Sequence, residues 1–112
     1  MTELVDRKCV PCEGGVAALT KAEAEKLRAK LAADWQLADD VKSIRREFKF
    51  KDFYRAMSFA NAIAHVANIE DHHPDIEVGW GYCRVVYRTH AIQGLSENDF
   101  ICAAKIDRIP VV

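Results

Sequence analysis

No apolar run in this sequence approaches the roughly 20 residues that a transmembrane helix needs. The chain also lacks a surplus of charge of either sign, because 16 basic and 17 acidic side chains leave a formal net charge of -1. Binding to a phosphate backbone needs an excess of Lys and Arg on one face of the protein. We therefore expect a protein whose partners are neither a membrane nor a nucleic acid.

A secretory signal is not expected either, since residues 1–7 are acidic and interrupted rather than apolar. This predicts a cytoplasmic location, in which the four cysteines stay reduced. Cys9 and Cys12 form a C-x-x-C pair, and Cys83 and Cys102 lie far downstream. Two interpretations stay open, a tail that carries two thiols or a zinc-binding regulator built on all four cysteines.

Length and composition indicate one globular domain, with 112 residues of which 50% are hydrophobic and 29% are charged. Residues 1–18 show no periodicity and contain Pro11, Gly14 and Gly15, which predicts a flexible leader. Residues 19–112 are expected to form the single domain. Because a domain of this size has a small core, a homodimer or homotetramer is expected to add to its stability.

Three segments have the residue spacing of helices. Thr20 and Glu23 match a capping box that begins the first helix. Asp52 is the predicted N-cap of the longest helix, in which apolar residues recur at every third or fourth position for about four turns. Ser96 and Asp99 match a second capping box, which predicts a third helix near the C-terminus.

Four segments alternate between apolar and polar residues, as half-buried strands do. They comprise residues 35–38, 43–50, 76–80 and 83–89. The order along the chain is helix, two strands, helix, two strands, helix. This order predicts an α+β fold, a two-layer sandwich in which a four-stranded antiparallel sheet carries three helices on one face.

Three of the four histidines lie where a helix or strand is predicted to end, and a rigid scaffold usually presents reactive groups at such places. His72 and His73 follow the longest helix, and Pro74 disfavours a helical conformation for His73. His90 ends the last predicted strand. Three interpretations stay open: caps for the last carbonyl groups of the helix, zinc ligands, and acid–base catalysts. The zinc interpretation is the weakest, because no H-x-x-x-H spacing is present.

The spacing of these histidines resembles the signature of the pterin-4a-carbinolamine dehydratase family. The matching residues are His72-His73-Pro74, Trp80, His90 and Asp99, separated by five, nine and eight residues. Residues 35–37, 48–53 and 89–100 are similar to further segments of the family. The resemblance covers residues from about 20 to 107, and the C-x-x-C leader is similar to that of bacterial members.

The resemblance implies that the protein dehydrates 4a-hydroxytetrahydropterin to quinonoid dihydropterin and water. An aromatic amino-acid hydroxylase leaves this substrate when it oxidises its cofactor. The pterin is the substrate, so neither a cofactor nor a metal is expected. Imidazole, with an unperturbed pKa near ~6.5, can protonate the departing hydroxyl group and can accept a proton from the neighbouring ring nitrogen. The resemblance also implies a helix–hairpin–helix–hairpin–helix sandwich that assembles as dimers or tetramers.

Residue roles carried over by position make His72, His73 and His90 the catalytic residues. His72 and His90 would flank the reacting carbon, and His73 would orient the pterin or share the role of acid. Asp99 would orient a histidine or bind the pterin ring, besides serving in its capping box. Trp35 is interpreted either as a residue that lines the slot for the ring or as a core residue.

One position departs from the family pattern. Four residues before the first histidine the family usually has an ionisable residue, whereas this chain has Asn68. An asparagine can hydrogen-bond a histidine within the substrate site but cannot store a proton. His65 matches nothing in the signature and is expected on the surface. The alternative function is a protein-binding dimerisation cofactor without a catalytic role, as in animal relatives that bind a homeodomain transcription factor.

Overall fold

The computed structural model describes residues 3–11 and 17–112, and it has the predicted order of helices and strands. The elements are α1 (Lys21–Arg28), β1 (Gln36–Leu37), β2 (Ile44–Lys49), α2 (Phe53–Glu70), β3 (Asp75–Gly79), β4 (Tyr82–Tyr87) and α3 (Glu97–Asp107). Two short 3-10 turns occupy Leu4–Asp6 and His90–Ile92. The predicted α+β class is confirmed.

The four strands form one antiparallel sheet in the order β1-β2-β4-β3. The central pair is β2 with β4, whose ladder runs from Ile44 opposite Tyr87 to Lys49 opposite Tyr82. Because β4 has a neighbour on each side, its backbone is held along its whole length. The residues that follow β4 therefore leave the sheet from a rigid position.

Alternation along β4 separates the two faces of the sheet. Cys83, Val85 and Tyr87 have no exposed surface and point towards the helices. Arg84, on the other face, forms ion pairs with Glu47 of β2 and Glu77 of β3. α2 packs on β3 and β4, α3 packs on α2, and α1 packs on α3. One face of the sheet therefore carries the helices, as the sequence predicted.

The residues at the two ends of α2 cap the helix and so fix where it begins and ends. The Asp52 carboxylate accepts a hydrogen bond from the backbone N–H of Arg55 at 2.9 Å. At the other end Asp71 adopts a left-handed conformation with φ 51°, and the His72 N–H donates to the Ala67 carbonyl at 3.2 Å. The chain therefore turns away from the helix axis just before the two adjacent histidines.

Among the described residues, neither this helix nor any other combines the length and hydropathy needed to cross a membrane.

The described part of the leader lies against α3, and the flexibility that the sequence predicted for residues 1–18 stays a prediction. Leu4 is only 5% exposed and belongs to the hydrophobic core. Arg7 forms an ion pair with Glu97 at 3.3 Å, and the Cys9 N–H donates to the Glu70 carboxylate at 2.9 Å. One buried apolar side chain and these polar contacts hold the segment in place. Gly14 and Gly15, on which the prediction rested, lie outside the described residues.

Candidate active site

All three histidines of the predicted site line one surface cavity of about 620 Å³. The cavity lies where α2 ends, where the chain leaves β4 and where the leader crosses α3. His72, His73 and His90 share it with residues 9–11 of the leader, residues 69–71 and residues 88–91. The structure therefore brings together histidines that are up to 18 residues apart in the sequence, and it adds the leader, which lies about 80 residues before His90.

His72 is held by contacts on two sides of its ring. Its Nε2 lies 2.7 Å from Oδ1 of Asp99, and its ring stacks on Tyr87 with 5.3 Å between centroids and 10° between planes. A carboxylate oxygen can only accept a hydrogen bond, so Nε2 carries the hydrogen. The second nitrogen, Nδ1, is then the atom that can exchange a proton with a substrate. Only 13% of the His72 side chain is exposed.

Asp99 is fully buried and uses both carboxylate oxygens. Oδ1 accepts from His72, while Oδ2 accepts from the Thr89 hydroxyl at 2.8 Å and from the Ser96 N–H at 3.0 Å. The predicted capping box is confirmed. Because the side chain has no exposed surface, it reaches the cavity only through His72. The contact with His72 is the one that the orienting role requires, and the role of Asp99 in substrate binding stays a prediction.

Two opposing effects set the pKa of His72. Burial of the ring lowers the pKa, whereas the hydrogen bond and the negative charge of Asp99 raise it, with smaller increases from Cys102 and Asp71. The increases prevail, so the pKa of His72 lies above its ordinary value of 6.5. A larger fraction of the ring is therefore protonated near neutral pH, which suits a proton donor.

His73 is more exposed and is held by a different residue. Its Nε2 lies 3.1 Å from the side-chain oxygen of Asn68, in the last turns of α2. An amide oxygen accepts, so Nε2 of His73 donates. Asn68 does not line the cavity itself and acts on it through His73. The sequence analysis expected that Asn68 could hydrogen-bond a histidine, and the structure shows this contact with His73, while a role of Asn68 in substrate binding stays a prediction.

His90 lies in the cavity but not at the end of a strand. β4 ends at Tyr87, and His90 begins a 3-10 turn. The turn forms because Thr89 and Gly94 pair as an isolated bridge and the Gln93 N–H donates to the His90 carbonyl at 3.1 Å. The exposed ring is thereby brought to the cavity wall instead of following the alternation of the strand.

Trp35 lies in the core and does not line the cavity, in agreement with the second of its two interpretations, and a role in lining a slot for the ring stays a prediction. Its side chain is 1% exposed, and its Nε1–H donates to Oδ1 of Asp107 at 2.7 Å. The same carboxylate oxygen accepts from Arg46 at 2.7 Å. An indole N–H buried beside apolar residues needs an acceptor, and Asp107 provides it.

Replacing Trp35 by phenylalanine is expected to reduce stability without affecting catalysis. The variant loses the hydrogen bond to the Asp107 carboxylate, which should lower the free energy of unfolding by about 1.5–3 kcal/mol. Urea denaturation followed by circular dichroism measures this change. Any catalytic rate of the folded protein should stay the same, and a selective loss of rate without a loss of stability would return Trp35 to the site.

Two further residues of the sequence analysis lie on the surface. His65 is exposed on α2 outside the cavity, as the sequence predicted, and the side chain of Trp80 is 73% exposed.

Two of the cysteines are in contact with each other. The sulfur atoms of Cys9 and Cys102 lie 3.5 Å apart. In residues 3–11 and 17–112, no three His, Cys, Asp or Glu side chains are grouped so as to hold a metal ion, and Cys12 lies outside these ranges.

Several contributors to the site were missed at the level of sequence. Thr89 donates to Asp99, Tyr87 supports the ring of His72, and the Tyr87 hydroxyl donates to the His72 carbonyl at 3.1 Å. The alternation along β4 places Tyr87 and Thr89 on the same face, which was the available signal. Nothing in the sequence pattern indicated that the leader forms a wall of the cavity.

Comparison with known proteins shows relatives along nearly the whole chain. The curated relatives carry names that give pterin-4-alpha-carbinolamine dehydratase as an inferred activity. One from Nitrosomonas europaea is 61% identical over 96% of this chain and 93% of its own length. One from Legionella pneumophila strain Corby is 51% identical over 98% of this chain and 97% of its own length.

Two solved structures share the fold. A crystal structure described as a transcriptional coactivator/pterin dehydratase from Brucella melitensis matches with a TM-score of 0.73 and 35% identity. The match covers 80% of this chain and 94% of that one. A pterin dehydratase-like protein, described as a RuBisCO assembly factor in the alpha-carboxysome, matches with a TM-score of 0.57 over 66% of this chain and 86% of that one. Its 21% identity supports likeness of fold alone.

The family model described as pterin 4 alpha carbinolamine dehydratase matches residues 17–109. This range contains all three histidines of the cavity, the buried carboxylate and every helix and strand of the sandwich. Together with the identity to the curated relatives, the match places the sequence in that family. The chain belongs to the pterin 4 alpha carbinolamine dehydratase family.

Proposed function

We propose that this chain is a hydro-lyase that dehydrates 4a-hydroxytetrahydropterin to quinonoid dihydropterin and so returns the cofactor of an aromatic amino-acid hydroxylase to use. The observation that carries the proposal is the cavity lined by three histidines, one of which is hydrogen-bonded to a buried carboxylate. Family membership supports the same reaction. The chemistry is the loss of one water molecule, and it requires neither an electron carrier nor a metal ion.

In the proposed mechanism, His72 is the acid. Protonated His72 gives the proton on Nδ1 to the 4a hydroxyl oxygen, the carbon–oxygen bond breaks, and the oxygen leaves as water. Its raised pKa supports this assignment, since the acid must be charged before the reaction. Asp99 keeps hydrogen on Nε2 throughout, so the proton that moves is always the one on the other nitrogen.

His90 is the proposed base, and His73 the proposed orienting residue. His90 would accept the proton from the ring nitrogen next to the reacting carbon, whose electron pair then forms the new carbon–nitrogen double bond. His73, held by Asn68 at 3.1 Å, would fix the plane of the pterin by hydrogen bonding. One proton enters with His72 and one leaves with His90, so the reaction is balanced and the two rings exchange roles in the reverse direction.

We also propose that the protein is a cytoplasmic homodimer or homotetramer. Two side chains of the predicted apolar face of α2 are not buried in the single chain. Phe53 is 43% exposed and Met57 is 37% exposed. Tyr54 of the same helix is 83% exposed. A neighbouring copy could cover these side chains, since exposed apolar patches mark association surfaces.

A second function, binding to another protein without catalysis, is favoured by one observation. The Brucella melitensis relative at 35% identity is described as a coactivator as well as a dehydratase. Capture of a stoichiometric partner protein that substitutions at His72 and His90 leave unaffected would support this function. It does not compete with the cavity, since the two activities would use different surfaces.

The dehydratase proposal predicts activity that survives removal of metals. Purified protein, treated with a chelator and dialysed, should accelerate the loss of 4a-hydroxypterin absorbance well beyond the rate in buffer. A heat-denatured sample at the same concentration is the control. A rate equal to that of buffer would overturn the proposed function, and a rate abolished by the chelator would overturn the metal-free mechanism.

A further inference from the structure

Two cysteines that the proposed reaction does not use lie in contact at the wall of the histidine cavity. Cys9 belongs to the leader and is partly exposed, whereas Cys102 lies in α3 and has no exposed surface. Their sulfur atoms are 3.5 Å apart. A disulfide bond is about 2.05 Å long, so roughly 1.5 Å of approach separates the two thiols from bond formation.

The surroundings of Cys9 hold it beside its partner without placing it in a helix or strand. Its N–H donates to the Glu70 carboxylate at 2.9 Å, and its sulfur lies 3.6 Å from the Asn98 carbonyl oxygen. The next residue, Val10, donates its N–H to the side-chain oxygen of Asn98 at 3.1 Å. Cys9 lies outside any helix or strand, so a small displacement breaks no helical hydrogen bond. The thiols therefore stay adjacent while one of them retains freedom to close the gap.

The two thiols are chemically unequal. A hydrogen bond from the Cys9 thiol lowers the pKa of Cys102 against the opposing effect of burial, and the Tyr87 hydroxyl and the charge of His72 lower it further. The same partnership and burial raise the pKa of Cys9. The thiolate is the reactive form of cysteine, which suits Cys102 to attack an oxidised neighbour, whereas Cys9 is the thiol of the pair that has exposed surface and that peroxide can reach. Cys83, by contrast, is buried without a sulfur neighbour among the described cysteines, and burial raises its pKa to about 11.

We propose that Cys9 and Cys102 form a peroxide-sensitive dithiol, whose oxidation to a disulfide fastens the leader to the wall of the cavity. In the first step the partly exposed Cys9 sulfur attacks one oxygen of hydrogen peroxide, an S–O bond forms, the O–O bond breaks, and the released hydroxide takes the thiol proton to form water. In the second step the Cys102 sulfur attacks the sulfur of the Cys9 sulfenic acid, the S–S bond forms, and the S–O bond breaks. The proton of Cys102 leaves with the hydroxide as a second water. Two thiols are oxidised while one peroxide is reduced.

The bond would connect residues that are far apart in the sequence but adjacent at the site. Residues 9–11 line the cavity with the three histidines, so a covalent link at Cys9 would hold that part of its wall in place. A link across most of the chain also constrains the unfolded state, and we expect the Tm to rise on the order of 10 °C on oxidation. Neither effect depends on the reaction that the cavity catalyses.

The test uses the full chain carrying Cys12→Ser, since Cys9 and Cys12 fall in one tryptic peptide and would otherwise be confused. The protein is exposed to hydrogen peroxide, alkylated with N-ethylmaleimide, digested without reduction and analysed by mass spectrometry. The expected product is the Cys9 peptide linked to the Cys102 peptide, less two hydrogens and reversible by dithiothreitol. Thermal melts of the oxidised and reduced forms provide the second measurement.

Cys9→Ser and Cys83→Ala in the same background are the matched variants. The Cys9→Ser variant should give no link and no rise in Tm, and the Cys83→Ala variant should give both. Failure of Cys102 to link, conversion of Cys9 to sulfinic acid with Cys102 still free, or a link between two chains would overturn the proposal. A disulfide link without a rise in Tm would overturn the inference that the bond fastens the leader to the wall of the cavity. All these outcomes are independent of dehydratase activity, which is measured separately.

Discussion

Replacing His72 by alanine is expected to lower kcat for dehydration of 4a-hydroxytetrahydropterin by about 10²- to 10⁴-fold, the contribution typical of a positioned acid–base group. The variant removes the imidazole that hydrogen-bonds the buried carboxylate of Asp99. Among the described residues, no other histidine of the cavity has such a partner. Without it, solvent must protonate the departing hydroxyl group. Initial rates of absorbance loss at saturating substrate measure the effect. KM should change less, because the ring acts on the bond that breaks.

The chain contains a matched control for this substitution. His65→Ala removes an exposed imidazole from α2 outside the cavity, and its kcat should stay within about twofold of the parent, since surface substitutions rarely disturb the fold. His90→Ala should slow the reaction as sharply as the change at His72, because it removes the proposed base. If the variants at His72 and His90 both keep the full rate, the assignment of acid and base is wrong.

Replacing Asp99 by asparagine should lower both the activity and the pKa of His72. The substitution keeps the size of the side chain but removes the negative charge that raises this pKa and leaves one acceptor oxygen in place of two, whereas burial of the ring continues to lower the pKa. We expect kcat to fall on the order of 10²-fold, since a neutral ring or the wrong tautomer is a poor acid. The pH above which kcat/KM declines should move to lower pH. Histidine ring resonances followed by NMR titration measure the pKa directly.

The same pair predicts how stability depends on pH. The pKa of His72 is raised in the folded protein above its ordinary value of 6.5, so the pair stabilises the fold fully at lower pH. That contribution is lost as pH rises through the folded pKa. The free energy of unfolding lost in Asp99→Asn should therefore be larger near pH ~5.5 than near pH ~8.5. Asp34→Asn, at a side chain that is 70% exposed, is the control and should show little change at either pH.

Local signals in the sequence predicted the framework of this protein correctly. Thr20 with Glu23 and Ser96 with Asp99 form the predicted capping boxes, and Asp52 caps α2. These contacts join residues three positions apart, so their geometry follows from the helix itself. The alternation along β4 likewise identified its buried face, because side chains of a strand point to opposite sides in turn.

The histidine site was only partly accessible at the level of sequence. The spacing of His72, His73 and His90 indicated a shared site, and one cavity contains all three. The pattern could not decide between two roles for Asp99 or for Trp35. Burial supplies what the pattern lacked: Asp99 has no exposed surface and contacts His72, and Trp35 is bonded to Asp107 inside the core.

The sequence alone therefore determined the order of the helices and strands and the residues that cap the helices, since these depend on neighbours within one or two turns. It also identified the histidines of the site by their spacing. Only the tertiary structure decided that Asp99 meets His72 across 27 positions, that the leader lines the cavity and that Cys9 meets Cys102 across 93. Such contacts form when separate elements pack together, and packing depends on the whole set of buried surfaces. No local pattern carries that information.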